Sequence, residues 1–132
     1  MTSTFEKAIL FKNGDIMARF ILVGLVEPQS EEQQKDFDEW YLGNHIEDTA
    51  LCPNFLSGSV YKLTGKHVGI PSPSEYICIY EVDAESSEEA ERVLNEYQRD
   101  PDAWPGREPG NGSLKVLGSG WYEFERAYHT RG

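Results

Sequence analysis

The chain lacks most of the features that mark a familiar chemistry. It has only two cysteines, Cys52 and Cys78, in 132 residues. They are not spaced as Cys-x-x-Cys, so no zinc or redox site of that kind is present, and both read as ordinary buried or half-buried thiols. Positive charge is scarce: 12 Lys and Arg stand against 23 Asp and Glu, for a formal net charge of −11. Nucleic acids and anionic membranes are bound by clustered cations, so neither is expected as a partner. No apolar run approaches the roughly 18 residues of a spanning helix. The short apolar stretch 8–11 is cut off at Lys12, well short of a secretory core, and a reducing, cytoplasmic setting is the expectation. Gly-rich phosphate loops, nucleophile elbows and dinucleotide fingerprints are also missing. Gly118-Ser119-Gly120-Trp121 falls within a strand pattern and lacks the helix such motifs require, so no nucleotide cofactor is expected.

The residues that are present organise one domain. A length of 132 residues with 39% hydrophobic content suffices for a single core; residues 1–16 are read as an N-terminal extension and 17–132 as the domain. The aliphatic, β-branched run 19–26 ends at Glu27-Pro28 and reads as a strand. Ser30 and Gln33 form a capping-box pattern that opens a helix over 33–48. Gly43 is tolerated inside it at about 1 kcal/mol relative to Ala, and marks a close packing point or an irregularity beside His45. Residues 55–63 and 76–82 predict two further strands, joined by a loop carrying Gly69, Pro71 and Pro73. Ser86 to Glu89 opens a second helix with acids in its first turn, and Ala90, Val93, Leu94 and Tyr97 form its apolar stripe. Residues 101–112 hold Pro101, Pro105, Pro109 and Trp104 and predict an irregular, lid-like loop. The last strand, 114–124, contains Gly118 and Gly120, where a bulge or a close approach is expected. The order β-α-β-β-α-β predicts an α+β, ferredoxin-like fold with a four-stranded antiparallel sheet and both helices on one face. Four short strands cannot close a barrel alone, so the other face needs a cover.

The densest stretch is Phe37-Asp38-Glu39-Trp40-Tyr41-Leu42-Gly43-Asn44-His45, followed by Cys52-Pro53-Asn54-Phe55 and then Val60-Tyr61. A helix ending in Trp-Tyr, a following His and a Pro-x-Phe turn resembles the first helix and second strand of the dimeric α+β barrel superfamily, in particular its EthD-like branch. That resemblance implies two such sheets joined across a two-fold axis into a barrel, hence a homodimer. It also implies a site at the end of the first helix, where several enzymes of the superfamily carry an acid/base histidine.

For chemistry the sequence offers His45, His67 and His129, since imidazole titrates near pH 6.5. Phe37, Tyr41 and His45 fall at i, i+4 and i+8, which turns the imidazole towards the aromatic face. There it is either a general acid/base or a core histidine satisfied by backbone carbonyls. Tyr41 either orients a carbonyl or phenol or caps the core with its hydroxyl at the rim. His67 is expected in a loop over the pocket mouth and His129 in a disordered tail. Phe37, Trp40, Asn44, Tyr61, Tyr80, Trp104 and Trp121 complete the expected substrate-binding set, with Trp104 as a lid residue and only one of Trp121 and Tyr122 able to face inward. The aromatics suit a hydrophobic or aromatic ligand, and equally an ordinary core and dimer interface. His45 and Asp48 could hold two bonds to a metal, but solvated helix-end acids account for the cluster, and no metal is expected. The resemblance implies a cofactor-independent enzyme, of isomerase, cyclase, dehydratase or decarboxylase type, that moves a proton on an enolisable, polyketide-like substrate. A non-catalytic ligand-binding or accessory dimer is the alternative, and a cofactor-free monooxygenase the third.

Overall fold

The aliphatic run after Met17 becomes the central strand of the sheet. The structure, a computed structural model, describes residues 2–6, 9–12, 15–103 and 110–130. Its strands are β1 (Thr2–Glu6), β2 (Ile9–Lys12), β3 (Asp15–Pro28), β4 (Phe55–Lys62), β5 (Tyr76–Ala84), β6 (Leu114–Glu123) and β7 (Arg126–Thr130). The first helical run is composite. A 3-10 turn (Glu31–Gln33) leads into α1 (Gln34–Phe37), which widens into a π-helix (Asp38–His45) and closes as α2 (Ile46–Ala50). The second helix is α3 (Ser87–Arg99).

β3 pairs antiparallel with β5 on one side and with β6 on the other, and β4 flanks β5. The class is therefore α+β, with a four-stranded antiparallel sheet compatible with a ferredoxin-like fold. The register slips between Leu25 and Val26, where β6 bulges beside Gly118. Gly58 on β4 is a true close approach: a Cβ there would lie 3.1 Å from the Ala50 Cβ and from the Tyr80 ring, so the missing side chain lets α2 settle on the sheet.

Several expectations are corrected. The stretch read as an extension forms strands: β2 folds back on the start of β3, with Ile9 opposite Ala18 and Lys12 opposite Asp15. The sheet thus gains a fifth strand, and β3 begins at Asp15 instead of residue 19. β1 pairs with β7 in a separate ribbon that sets Ser3 opposite His129, so His129 lies in a strand and not in a disordered tail. Ser30 makes no side-chain cap; its carbonyl accepts from the Gln33 amide at 3.1 Å instead. No helix among the described residues is long and apolar enough to cross a membrane.

Strand alternation divides the sheet into two unlike faces. Towards the helices β5 presents Tyr76, Cys78, Tyr80, Val82 and Ala84, all buried, and β3 adds Phe20 and Val26. Phe37, Tyr41 and Ile46 of the helical run and Ala90 of α3 pack on them in one cluster. Cys52, Leu94 and Tyr97 form a smaller one. The opposite face carries Ile21, Val23 and Leu25 opposite Glu81, Ile79 and Ile77, with Tyr61 and Tyr122 each 60% exposed. At one end of that face Arg19 Nε donates to Asp83 at 2.6 Å and its Nη1 to Glu81 at 3.5 Å.

Candidate active site

His45 is positioned by a departure from α-helical geometry. With bonding from i to i+5, residues four and five positions apart both come round to the same face. Trp40 and Tyr41 therefore both meet His45, with ring centroids 4.8 Å and 5.5 Å away, and the Tyr41 pair is stacked at 24°. Asn44 spans the same spacing, its Nδ2 donating to the Glu39 carbonyl at 2.9 Å. Phe37 stacks on Tyr41 at 5.1 Å and meets Tyr76 at 5.0 Å. Being fully buried, it anchors the run in the core.

A cavity of about 260 Å³ opens between this run, α3 and the helix-side face of the sheet. Tyr41, His45 and Thr49 descend from the run, Cys78 and Tyr80 rise from β5, Trp121 closes the β6 side, and Leu94 and Gln98 of α3 form the far wall. The hydroxyls of Tyr41 and Tyr80 both neighbour the Cys78 thiol. The Tyr80 hydroxyl also neighbours Thr49, whose buried Oγ1 has no hydrogen-bond partner. Burial pushes both phenols far above their ordinary range, and the neighbouring Cys78 pushes them further. Burial also raises the Cys78 thiol, against the lowering effect of its hydrogen bonds to Tyr80 and Tyr41. Desolvation disfavours the charged form of each group, so at neutral pH the cluster is uncharged and offers protons as donors. Among the described residues the lining includes no Lys or Arg, and its one acid, Glu91 on α3, is exposed.

The expected site residues divide into three groups. Tyr41, His45, Tyr80 and Trp121 line the cavity. Trp40 backs His45 from outside it, Phe37 lies in the core, and Asn44 is bonded to the helix backbone. Two others, Tyr61 and His67, are not among the residues lining the cavity. Tyr61 is paired in register with Ile77, which by alternation puts it on the sheet's other face. His67 sits in an exposed loop, where its Nδ1 accepts from the Ser72 amide at 3.1 Å. Trp104 lies outside the described residues. Trp121 faces inward and Tyr122 outward, as strict alternation demands.

Thr49 and Cys78 were not singled out from the sequence. The signals that could have found them are spacing alone: Cys78 is two residues before Tyr80 on the same strand face, and Thr49 is one turn beyond His45. Among the described residues no three His, Cys, Asp or Glu side chains come together as a metal centre would need. A second hollow, of about 230 Å³, opens beside Asn54, Asp83 and Glu89. Of its three acids Asp83 is engaged with Arg19 and Glu89 with Arg92, and Glu85 is exposed. Compared with protein-family models, curated proteins and solved structures, the chain matches none of them.

Proposed function

We propose that the protein is a cofactor-independent enzyme that moves a proton on an uncharged, hydrophobic, enolisable substrate, with His45 as general acid/base. One observation carries this reading: His45, held against the rings of Trp40 and Tyr41 by the π-helix, faces a cavity that also presents the hydroxyls of Tyr41, Tyr80 and Thr49. A donor cluster beside an imidazole suits enolisation, in which a carbon loses a proton while charge develops on a carbonyl oxygen. His45 takes the proton and returns it. Tyr41, kept protonated by burial, donates to the oxygen. The isomerase, cyclase and dehydratase chemistries implied by the resemblance share that step, whereas a decarboxylase would need an anionic substrate and is not favoured by this lining.

A homodimer is part of the proposal. The sheet face away from the helices carries Ile21, Val23, Leu25, Ile77 and Ile79 with the exposed rings of Tyr61 and Tyr122. Contiguous apolar surface of this kind marks an interaction site. Arg19 beside Glu81 and Asp83 gives its end both signs of charge, so a two-fold related copy is electrostatically self-complementary. A dimeric α+β barrel is the arrangement such a contact would form, and native mass spectrometry tests it: a monomer at micromolar concentration would refute the barrel.

Exchange of the α-protons of β-tetralone in D2O, followed by proton NMR, tests the chemistry. The protein should accelerate exchange, and His45→Gln should remove most of that acceleration. Exchange by His45→Gln at the unaltered rate would overturn the assignment. The non-catalytic alternative predicts that β-tetralone binds and is not exchanged.

A further inference from the structure

The cavity is lined by a hydroxyl that has no partner in the fold. Tyr41, Thr49, Cys78 and Tyr80 all line it, and each carries a single O–H or S–H. Thr49 is 3% exposed, and among the described residues its Oγ1 is one of two buried side-chain oxygens without a hydrogen-bond partner; the other, Ser113 Oγ, lies away from this cavity. A buried polar group left in that condition is costly to the fold and points to a function.

We propose that Thr49, with Cys78 and Tyr80 beside it in the lining, is the recognition subsite of the cavity: its unpartnered hydroxyl donates to an uncharged carbonyl oxygen, and the site rejects carboxylates. The selection against charge follows from the lining. Among the described residues no Lys or Arg lines the cavity, so a carboxylate would be desolvated with only the His45 imidazole to offset its charge, inside a protein whose formal charge is already −11. The inference rests on reading this cavity as the ligand site, and it assigns Thr49, Cys78 and Tyr80 a role that does not require His45 to act as a base.

Binding of three probes with one carbon skeleton tests it: β-tetralone, tetralin and tetralin-carboxylate, titrated calorimetrically into the full-length protein. β-Tetralone should bind roughly tenfold more tightly than tetralin, the worth of one hydrogen bond, and tetralin-carboxylate more weakly than either. Thr49→Val should cut the β-tetralone preference to about threefold or less while leaving tetralin affinity and the thermal midpoint of the free protein undiminished. A purely structural threonine would instead lower the midpoint. Tyr80→Phe removes a second hydroxyl from the same lining and should reduce the same preference, which serves if Thr49→Val misfolds. Equal affinities for β-tetralone and tetralin in the unaltered protein, or tightest binding of the carboxylate, would overturn the proposal. His45→Gln should retain the β-tetralone preference, so a failure of the catalytic reading and a failure of this one give different results.

Discussion

In α3 the Ser86 Oγ accepts from the Glu89 amide at 3.1 Å, Glu88 and Glu89 fill the first turn, and Arg99 stands in the last. Arg92 is bracketed by Glu89 and Glu96, and Tyr97 ties the helix to the neighbouring run through the Asp48 carbonyl at 2.9 Å. The first helical run has no side-chain cap on its α or π segments and leaves α-helical geometry for eight residues. Nearly every local choice in α3 agrees with a regular amphipathic helix, whereas the first run accepts an irregular backbone and thereby sets three rings side by side. Regularity holds α3 on the sheet, and the departure from it builds the wall that carries His45. Local rule-breaking concentrated on one side of a cavity is what a functional site is expected to show.

Substitutions on the two elements should therefore separate activity from stability. His45→Gln gives the largest expected effect, a loss of about 10²–10⁴ in the rate of β-tetralone exchange, the usual contribution of a positioned acid/base. Its stability cost should stay within about 1 kcal/mol. Phe37→Ala reverses the pattern: the fully buried ring that anchors the run should cost about 3–5 kcal/mol, measured by urea denaturation. Exchange per folded molecule would fall only as far as Tyr41 loses its stacking partner. If Phe37→Ala left stability intact, the run would not be held by its core face and the comparison would collapse.

The sequence made the Phe37, Tyr41 and His45 face legible because four-residue spacing survives in both α and π geometry. It did not reveal that Trp40 joins them, since the i+5 relation depends on backbone bonding that no side-chain pattern encodes. Gly43 was the one visible trace of the irregularity. Four strands could be read from β-branched runs, while β1, β2 and β7 are only four or five residues long and gain order from pairing partners distant in sequence. Tyr61 was misplaced because the face of an alternating strand depends on register, and β4 shifts register between Phe55 and Ser57. Thr49 and Cys78 escaped notice because a small polar residue becomes informative only when the element packed above it is known.

Where α3 meets the loop before β4, Cys52 offers a test by pH. Burial pushes its thiol from 9.0 up to about 11, so the folded state keeps the proton longer than the unfolded chain does. Stability from this group is fully present below about pH 9, the unfolded value, and is lost as pH rises through about 11. Urea midpoints measured across that window should fall with pH, and Cys52→Ala should flatten the fall. A slope unchanged by Cys52→Ala would remove this thiol as its source. Ser86→Ala, which deletes the α3 cap, should cost about 1 kcal/mol with no change in exchange rate; the uncapped Ser30→Ala should cost less.

The smallest expected change in stability probes the comparison most closely. Asn44 Nδ2 bonds the Glu39 carbonyl, five residues back, which is the spacing of the π-helix itself. Asn44→Ala removes a single exposed hydrogen bond worth about 0.5–1.5 kcal/mol, and alanine's higher helix propensity offsets part of that. A stability change near zero is therefore expected. The run, however, loses a bond that favours π over α geometry, and any relaxation towards α swings residue i+5 off the shared face. Trp40 and His45 would separate, altering the near-ultraviolet dichroism of the indole and slowing exchange severalfold in a protein that unfolds at the original urea concentration. If the dichroism and the rate both stayed unchanged, the π register would be fixed by core packing at Phe37 and Tyr41, and Asn44 would be a consequence of that register and not one of its causes.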